Sequence, residues 1–339
     1  MKLAALWVIR ILFAPNHFKV PLYKRIWHAV FGGYMADQIA LYDFKNNKKR
    51  EYLSEFDWYK SRSINDPYSG LLNNKVVFAE MLRPFCPCPE VYAVKKGKRI
   101  AGLHGREISN CEDLIDLLHE KGAMVIKPVN IGKGLGVRVL KAEDGFITEN
   151  GKPVYPDKLI LELKKGGDWH ACEYAYQAQY LNKIYAPSAN TIRMIVLRSA
   201  KTREMELCFA VQRLGARRTG AVDNGSRGGL VANIDIETGT LSEARSLHDL
   251  NVYPVHPDTK APIQGVVIPN WERIKRGVLA ASGHFPYLDI IAWDILPTAD
   301  GSFTVIEGNT SSGVNIIQLW GPQRHGRLGE FYREHGVIK

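Results

Sequence analysis

Two spacings of apolar positions occur along this chain, and they separate around residue 123. Before that point, apolar residues recur at helical spacing over residues 74–82 and 111–121. Asn74 is the predicted N-cap of the first helix, and Gly122 is the predicted end of the second. Beyond it, short apolar or alternating runs dominate, and such runs are typical of strands. The predicted strands are 91–94, 123–126, 137–140, 169–174, 190–198, 205–212, 233–237, 290–296 and 303–307, with a further helix at 271–282.

This order of elements predicts an α+β protein with mostly antiparallel sheets and long loops. The 339 residues suffice for one large core or two to three smaller ones, and 45% hydrophobic with 24% charged residues is an ordinary globular composition. No run of 18 uncharged apolar residues is present, so no membrane-spanning helix is predicted. The five cysteines lack zinc-site spacing. We therefore expect free thiols and a cytoplasmic location.

The net charge of +10 favours acidic partners such as nucleotides, sugar phosphates, nucleic acids or anionic lipids. Part of the excess lies in residues 1–36, which contain no carboxylate. The basic residues there are Lys2, Arg10, Lys19, Lys24 and Arg25, and the apolar ones include Leu3, Trp7, Val8, Ile11, Leu12 and Phe13. Two interpretations remain open, a basic amphipathic segment in peripheral contact with a membrane and a helix packed on the body of the protein.

A lysine and a glycine-rich turn follow the apolar run 123–126. Lys127 comes first, and Gly132, Gly134 and Gly136 come after it. Glycines let backbone N–H groups approach phosphate oxygens, and the lysine adds a point charge. The spacing matches neither a Walker loop nor a dinucleotide-binding turn. The pattern indicates a phosphate-binding turn, and a plain hairpin that contains glycines is the alternative.

Two acids lie in apolar runs near the C-terminal end of the chain. Asp294 belongs to the run 290–296, Glu307 ends the run 303–307, and Asn309 follows. On adjacent antiparallel strands these side chains can face one pocket. Carboxylates in apolar surroundings are costly unless they are paired or bind a metal, and oxygen ligands of this kind suit Mg²⁺ with a triphosphate. The sequence thus predicts a magnesium site, with surface acids at strand ends as the alternative.

Several segments together resemble one family. They are LLNNK at 71–75, NTIR at 190–193, DNGSRGG at 223–229, HPDT at 256–259 and IEGNT at 306–310. Lys75, Lys127, Glu173, Asp294 and the Glu307-x-Asn309 pair stand in the order of the ATP-grasp motifs. Over about residues 70–320 the chain resembles the ATP-grasp superfamily, and within it the sugar-transfer associated branch, which is related to glutamate-adding carboxylate–amine ligases.

The resemblance implies a role for each matching residue. The residues implied to bind ATP are Lys75 and Lys127 at the phosphates, Gly132, Gly134 and Gly136 in a mobile lid, and Glu173, Tyr174 and Ala175 at the adenine hinge. The implied Mg²⁺ ligands are Asp294, Glu307 and Asn309, the implied catalytic arginines are Arg193, Arg213 and Arg227, and the implied substrate residues are Asn224, Gly228 and Gly229. Gln177 and Gln179 both remain candidates for the ribose.

The fold implied by the resemblance has two α+β subdomains, residues 71–180 and 181–339, that grip ATP between antiparallel sheets. Residues 1–70 would form a short helical region that is membrane-peripheral or on the substrate side. The implied reaction joins a small-molecule carboxylate to an amine through an acyl phosphate and converts ATP to ADP and phosphate. Arg213, Arg227 or the amides of Gly228 and Gly229 would stabilise the tetrahedral oxyanion. The name of the branch points to a sugar acid or an amino acid in surface polysaccharide synthesis.

Two other functions remain open at the level of sequence. A kinase on the same fold would phosphorylate a sugar or polyol hydroxyl and would need a base, for which Asp223 and His256 are candidates. The segment at 256–259 is, however, more typical of a structural turn. A basic anion-binding module without catalysis would leave Asp294, Glu307 and Asn309 unexplained. We expect no nucleic-acid partner.

Overall fold

The computed structural model describes residues 5, 7–129, 134–143 and 145–339 of the chain. In this part of the chain, two seven-stranded antiparallel sheets carry most of the fold, which confirms the α+β class. The first sheet contains β1 (Val91–Lys96), β2 (Arg99–Gly102), β3 (Ala123–Pro128), β4 (Arg138–Glu143), β5 (Phe146–Glu149), β6 (Lys152–Val154) and β7 (Trp169–Glu173). The second contains β8 (Ile192–Arg198), β9 (Met205–Leu214), β10 (Leu230–Ile234), β11 (Leu241–Ser246), β12 (Val252–Tyr253), β13 (Ile290–Pro297) and β14 (Phe303–Asn309).

The α-helices of the described residues lie before, within and after these sheets. They are α1 (Leu22–Val30), α2 (Ala36–Leu41), α3 (Glu55–Ser61), α4 (Ser69–Asn73), α5 (Lys75–Leu82), α6 (Cys111–Lys121), α7 (Pro156–Lys165), α8 (Gln179–Tyr185), α9 (Trp271–Gly283), α10 (Val314–Ile317) and α11 (Arg327–Glu334). The predicted caps are confirmed. Asn74 accepts hydrogen bonds from the backbone N–H groups of Val76 and Val77, and Gly122 ends α6 with a φ of +73°.

The first sheet is covered by helices on one face and open on the other. Its strand order is β2-β1-β7-β3-β4-β5-β6. Alternate side chains such as Met124 and Leu140 pack against α6 and α7 in one apolar core. Because side chains on a strand point to opposite faces in turn, Val125, Lys127 and Val139 lie on the opposite face, where they line a cleft.

The second sheet is covered on both faces. Its strand order is β12-β11-β10-β9-β8-β13-β14. Helices α5, α8 and α9 contribute Phe78, Leu181 and Ile274 to the core on one face. Helices α4 and α5 therefore pack on the second sheet although they precede the first in sequence, and the predicted boundaries of the subdomains stay predictions.

On the other face of the second sheet, Ile195 and Leu197 of β8 pack with Leu53 of the N-terminal region and with Phe331 of α11. The N-terminal region is joined to the C-terminal segment by buried polar contacts. The backbone N–H of Leu53 donates to Gln318 Oε1 at 2.8 Å, and Gln38 Nε2 donates to Asn315 Oδ1 at 2.6 Å. Residues 34–65 thus form one layer of the fold.

One predicted strand is displaced. The sequence pattern predicts a strand at 233–237, whereas β10 covers Leu230–Ile234. The reason is Asp235, whose carboxylate accepts hydrogen bonds from the backbone N–H groups of Glu237 and Thr238 and so forms a turn that ends the strand. The five cysteines form no disulfide bond. No helix in the described ranges has the length and apolar character needed to span a bilayer.

Candidate active site

A cleft of about 1630 Å³ is lined by the open face of the first sheet, by one end of the second sheet and by the N-terminal region. This volume exceeds the roughly 300–1,000 Å³ of a pocket for one small ligand, so a nucleotide and a second substrate can fit together. The predicted site residues that line it are Lys75, Lys127, Gly134, Glu173, Tyr174, Ala175, Arg193, Arg213, Asn224, Asp294, Glu307 and Asn309. Gly136, Arg227, Gly228 and Gly229 do not line it, and Gly132 lies outside the described residues.

Two lysines form a positive region at the junction of the two sheets. Lys75 begins α5, and its Nζ lies 3.5 Å from the carbonyl oxygen of Pro128 at the end of β3. Burial lowers the pKa of Lys75; Glu307 opposes this effect and Lys127 adds to it. His170 pairs with Lys127 between β7 and β3, and burial followed by the charges of Lys127 and Lys75 lowers the pKa of His170 to about 3. The histidine is therefore neutral at pH 7, and the two lysines set the local potential, which suits phosphate.

The glycine turn reaches from the first sheet to the second. Gly134 and Gly136 have φ values of +67° and +71°, in the left-handed region that glycine adopts readily. A Cβ atom on Gly134 would lie 2.9 Å from Val222 Cγ1, and Val222 belongs to the loop between β9 and β10. A Cβ on Gly136 would lie 2.8 Å from Pro128 Cγ. Both positions thus exclude side chains, and the lid role of the turn stays a prediction.

The chain passes from the first sheet to the second through residues 173–178. Glu173 ends β7, and Tyr174 and Ala175 line the cleft immediately afterwards. The backbone N–H of Ala178 donates to the carbonyl oxygen of Pro297 at 2.8 Å, which attaches this link to β13. The predicted adenine hinge therefore lies where the two sheets meet.

The two glutamines predicted for the ribose lie away from the cleft lining. Gln177 is buried, and its Oε1 accepts hydrogen bonds from the backbone N–H and the Nδ2 of Asn190 at 3.0 and 3.1 Å. Its Nε2 donates to Asn182. These hydrogen bonds use the side-chain amide of Gln177 to hold the link between the sheets in place. The residue that contacts the ribose is therefore not assigned.

A buried ion network lies at the end of the second sheet. The register of β13 places Asp294 opposite Arg193 on β8 and opposite Glu307 on β14. Arg193 donates to both carboxylate oxygens of Asp294, from Nε at 2.6 Å and from Nη2 at 3.0 Å. Arg213 donates from Nη1 to Asp294 at 2.9 Å and also pairs with Asp223. Asp223 in turn accepts from the N–H and the hydroxyl of Thr191 at 2.7 and 2.6 Å.

These contacts fix the charge states of the network. Burial alone would raise the pKa of Asp294, but the Arg193 and Arg213 guanidiniums lower it below its usual value. Burial opposes the charge of Arg213, and Asp223 and Asp294 nevertheless raise its pKa above the usual value. The network therefore holds charged groups in place beside the cleft before any ligand binds.

The oxygen donors at this point fit Mg²⁺ with a bound triphosphate. Glu307 is half-buried and makes no hydrogen bond or ion pair with any residue that the structure describes. Its charge opposes the lowering by burial of the pKa of nearby Lys75, and without a hydrogen bond its oxygens stay available to a metal ion. Asn309 uses its Nδ2 on the carbonyl oxygen of Ala292 at 3.4 Å, which leaves the amide oxygen as an acceptor. No group of three His, Cys, Asp or Glu side chains gathers anywhere in the described ranges, this site included. Mg²⁺ sites, however, commonly combine one or two carboxylates with substrate phosphates.

The loop 221–229 divides into a part that faces the cleft and a part that supports it. Asn224 lines the cleft and caps a short 3₁₀ turn, since its Oδ1 accepts from the backbone N–H of Ser226 at 2.9 Å. The N–H groups of Gly228 and Gly229 already donate to the carbonyl oxygens of Gly225 and Asn224. Arg227 is exposed. Of the predicted oxyanion groups, Arg213 is thus the one that lines the cleft.

His256 is a structural residue, as its turn motif predicts. It is fully buried, its Nε2 lies 2.8 Å from the carbonyl oxygen of Gly215, and its Nδ1 accepts from the backbone N–H of Asp258. Its ring stacks on Tyr185 with centroids 4.8 Å apart. Because both nitrogens are used, His256 has no free atom to accept a substrate proton.

Sequence reasoning missed three polar residues of the cleft. His17 and Asp37 of the N-terminal region and His248 after β11 line it. The His17 Nδ1 lies 2.6 Å from Asp37 Oδ2, and the His17 and His248 rings stack with centroids 4.2 Å apart. The 20 and 231 residues that separate these partners in sequence leave no local pattern to find. Their position shows that the N-terminal region forms one wall of the cleft.

Two antiparallel sheets around a cleft lined by lysines, arginines and acids are the arrangement of an ATP-grasp protein. The particular family is the sugar-transfer associated ATP-grasp family, whose sequence profile matches residues 57–329, so the chain belongs to it. The predicted resemblance is thereby confirmed. A search of curated proteins gave no match.

Three solved structures are similar to the chain at low identity. The ATP-grasp ligase PsnB with a minimal precursor is 15% identical over 74% of this chain and 56% of its own, with a TM-score of 0.38. The ADP complex of PurK, an N5-carboxyaminoimidazole ribonucleotide synthetase, is 14% identical over 72% and 46%, with a TM-score of 0.39. The D-alanine–D-alanine ligase of Bacillus anthracis is 15% identical over 79% and 64%, with a TM-score of 0.38. The chain thus spans less than two thirds of these proteins, and nothing about its activity follows from them.

Proposed function

We propose that this protein is an ATP-dependent carboxylate–amine ligase that works through an acyl phosphate. The observation that carries the proposal is the meeting of three groups of residues in one cleft. These groups are the lysines Lys75 and Lys127, the oxygen donors Glu307 and Asn309, and the Arg193–Asp294–Arg213 network. Phosphoryl transfer needs positioning and charge stabilisation rather than a covalent group on the protein, and this set supplies both.

In the proposed complex, ATP lies between the sheets. Lys75 and Lys127 contact the phosphates, the turn with Gly134 closes over them, and the backbone at Glu173–Ala175 holds the adenine. Asp294, Glu307 and Asn309 would hold Mg²⁺, which when bound neutralises charge on the phosphate oxygens. Asp294 contributes by giving up one of its arginine bonds. Arg193 or Arg213 is then available for the anionic substrate.

The reaction has two steps. A carboxylate oxygen of the first substrate attacks the γ-phosphorus, the bond to the bridging oxygen breaks, and ADP leaves. The amine nitrogen of the second substrate then attacks the acyl carbon, the bond to the phosphate oxygen breaks, and the nitrogen loses a proton. Arg213 lies beside the cleft with its charge fixed by Asp223, so we assign it to the oxyanion of the second step. Asn224, which faces the same part of the cleft, is the proposed substrate contact.

Neither of the two bases that the sequence suggests for the kinase alternative is suited to the role in this geometry. His256 is buried with both ring nitrogens occupied, and Asp223 is bonded to Thr191 and Arg213. A hydroxyl acceptor would need a base to accept its proton, and the contacts of His256 and Asp223 leave neither of them well placed for this. An amine that attacks an acyl phosphate is itself a good nucleophile, so the ligase reaction depends less than the kinase reaction on a base supplied by the protein. The view of a basic module without catalysis leaves the grouping of Asp294, Glu307 and Asn309 at one cleft unexplained.

Substrate and location are part of the same proposal. The family's association with sugar transfer supports a sugar acid or an amino acid in surface polysaccharide synthesis as the carboxylate. We also propose a cytoplasmic enzyme with a peripheral membrane contact through residues 1–36, supported by their basic composition.

The test is incubation of the purified protein with Mg²⁺-ATP and a panel of sugar acids and amino acids, with and without amines. Release of ADP and phosphate that requires both a carboxylate and an amine is the expected result. ADP release with the phosphate retained on a hydroxyl acceptor would contradict the ligase assignment and favour the kinase. Arg227→Ala is a useful matched variant because Arg227 is exposed and outside the cleft lining, and we expect it to retain activity.

A further inference from the structure

The first helix of the N-terminal region has its apolar face turned outward. In α1, residues Leu22, Ile26 and Val30 follow each other at intervals of four, and Tyr23 and Trp27 form a second such row that continues to Phe31. All six are exposed, by 63, 44, 52, 69, 56 and 61% respectively. The face that packs on the protein contains Ala29, which is buried, and the half-buried Arg25 and His28. A surface helix ordinarily does the reverse.

The preceding turn extends this apolar surface. Val8, Ile9 and Phe13 are 40, 62 and 71% exposed, so nine large apolar side chains within residues 8–31 face outward. Exposed apolar groups scattered singly are normal, whereas a contiguous group marks a binding surface. We call these nine residues the apolar surface.

The apolar surface is held firmly on the protein. Trp7 Nε1 donates to the carbonyl oxygen of Ala29 at 3.2 Å, and Arg25 Nη2 donates to that of Leu12 at 3.1 Å. These bonds join the turn to α1, and Ile11 and Ala29 are buried beneath them. The His28 ring stacks on Phe44 with centroids 5.2 Å apart, which attaches α1 to the following part of the chain. The outward orientation therefore belongs to the folded state and is not that of a loose tail.

Positive charge surrounds the apolar surface. Residues 1–36 contain no carboxylate, and Lys19 and Lys24 are exposed among the apolar side chains. The fold adds the basic run 45–50, because Lys49 Nζ lies 5.9 Å from the centre of the Trp27 ring. Burial and the charges of Lys49 and Lys24 lower the pKa of His28, which reflects the same positive potential. Aromatic and aliphatic groups with basic neighbours are the composition of a helix that lies in the interface of an anionic bilayer.

The apolar surface continues into the cleft. Ile9 and Phe13 belong to both, and Arg10 and His17 also line the cleft, where the His17 ring stacks on that of His248. We propose that the apolar surface lies in the headgroup region of an anionic membrane and that the cleft opens at this membrane. The carboxylate or the amine substrate of the ligase would then be an amphiphile anchored in the bilayer. This substrate class rests on the proposed function.

The experiment is flotation of the full chain with vesicles of phosphatidylcholine, with or without phosphatidylglycerol. We expect binding to the anionic vesicles that weakens with salt. Trp27→Ser combined with Phe31→Ser should lower the partition coefficient at least about tenfold, because both rings leave the interface. Lys24→Glu should lower it by about fivefold or more. The matched control is Tyr155→Ser, which removes an aromatic ring that is 82% exposed before α7 and should change nothing.

Two results would overturn the proposal. The first is the absence of binding to anionic vesicles. If light scattering then shows a dimer that the Trp27/Phe31 variant dissociates, the apolar surface is the contact with a second copy of the chain. If it shows a monomer, the proposal is equally overturned. The second concerns orientation. Phe13→Ser should reduce vesicle binding as the α1 variants do, and unchanged binding would mean that the rim of the cleft is away from the membrane.

Failure of the docking and failure of the ligase assignment give different results. Glu307→Ala is expected to float with vesicles like the unmodified protein, because Glu307 lies in the metal site and not on the apolar surface. Vesicle binding without any carboxylate–amine turnover would support the membrane docking and contradict the proposal that a ligase substrate is a membrane amphiphile. Turnover in solution without vesicle binding would leave the ligase intact and remove the docking.

Discussion

The two sheets of this protein have the same number of strands but different surroundings. The first has α6 and α7 on one face and the cleft on the other. The second is buried on both faces, and every residue of β13 from Ile290 to Pro297 is buried. The first sheet carries Lys127 and the glycine turn, whereas the second carries Asp294, Glu307 and the arginines.

This difference assigns a task to each sheet. A sheet with one open face has fewer packing contacts to break when it shifts, so it suits parts that close on a ligand. A doubly covered sheet holds its side chains in place, and placement within a fraction of an ångström is what metal ligands and oxyanion donors require. If the residues of the second sheet are the fixed half of the site, changes to them should have the larger effects.

The largest effect is expected at the metal site. Glu307→Gln removes the charge of the half-buried carboxylate, and we expect phosphate release with the active substrate pair to fall on the order of a thousandfold. The fold should be retained, because no hydrogen bond or ion pair between Glu307 and another described residue is lost. Steady-state kinetics and circular dichroism are the measurements. Asp116→Asn on the exposed side of α6 is the control, and equal rates for the two variants would contradict the metal assignment.

The next effect concerns stability and compares ion networks in the two sheets. Arg213→Met leaves Asp223 and Asp294 buried with less compensation, and we expect the free energy of unfolding to fall by about 3–5 kcal/mol. Arg138→Met in the first sheet breaks pairs with Glu149 and Glu162, of which the latter is well exposed, and should cost about 1 kcal/mol. Urea denaturation measures both. Equal losses of unfolding free energy would mean that removing an arginine from the ion network of the second sheet is no more destabilising than removing one from the first.

A third test uses pH and the first sheet. His170 has a pKa of about 3 in the folded chain, whereas an unfolded histidine titrates near 6.5. Between these values the unfolded chain binds one more proton, so this stability is present above about pH 6.5 and is lost as the pH falls. The loss is about 1.4 kcal/mol per pH unit. His170→Gln should make the decline in stability between pH 6 and 4 shallower by that amount, and parallel curves would show that His170 titrates normally.

The smallest effect is expected in the glycine turn. Gly134→Ala places a Cβ 2.9 Å from Val222 and forces a left-handed backbone on alanine, which costs about 1–2 kcal/mol. If the turn closes over the phosphates, kcat/KM for ATP should fall about tenfold. Gly97→Ala is matched in backbone, with a φ of +60°, but has open space around it in the β1–β2 turn. It should lose similar stability and retain ATP use, and a retained kcat/KM in Gly134→Ala would exclude the lid role.

The sequence predicted most elements of both sheets because the buried positions along each strand repeat at regular spacing. The pairing of β13 with β14 and the facing of Asp294 and Glu307 are confirmed for the same reason, since a short turn leaves one antiparallel arrangement. The cap at Asn74 and the end of α6 at Gly122 were equally local.

What the sequence did not predict depends on contacts between distant segments. The bonds of Asp294 to two arginines join residues 81 and 101 positions apart, and nothing local shows them. The His17–His248 stack and the occupation of Gln177 by Asn190 are of the same kind. The outward orientation of α1 also escaped prediction, because an amphipathic pattern shows that a helix has two faces but not which one meets the protein.

Two segments link the sheets, residues 83–90 and residues 174–178, and both are bonded to the hairpin of β13 and β14. The backbone N–H of Val305 on β14 donates to the carbonyl oxygen of Pro87 at 2.8 Å, and that of Ala178 donates to Pro297 on β13 at 2.8 Å. A body attached at two points keeps one easy rotation, about the line through them, and loses most freedom to slide or twist. Displacement grows with distance from that axis. Rotation of the first sheet would therefore carry Lys127 and the glycine turn along an arc, while Asp294 and Glu307, on the hairpin itself, stay nearly still.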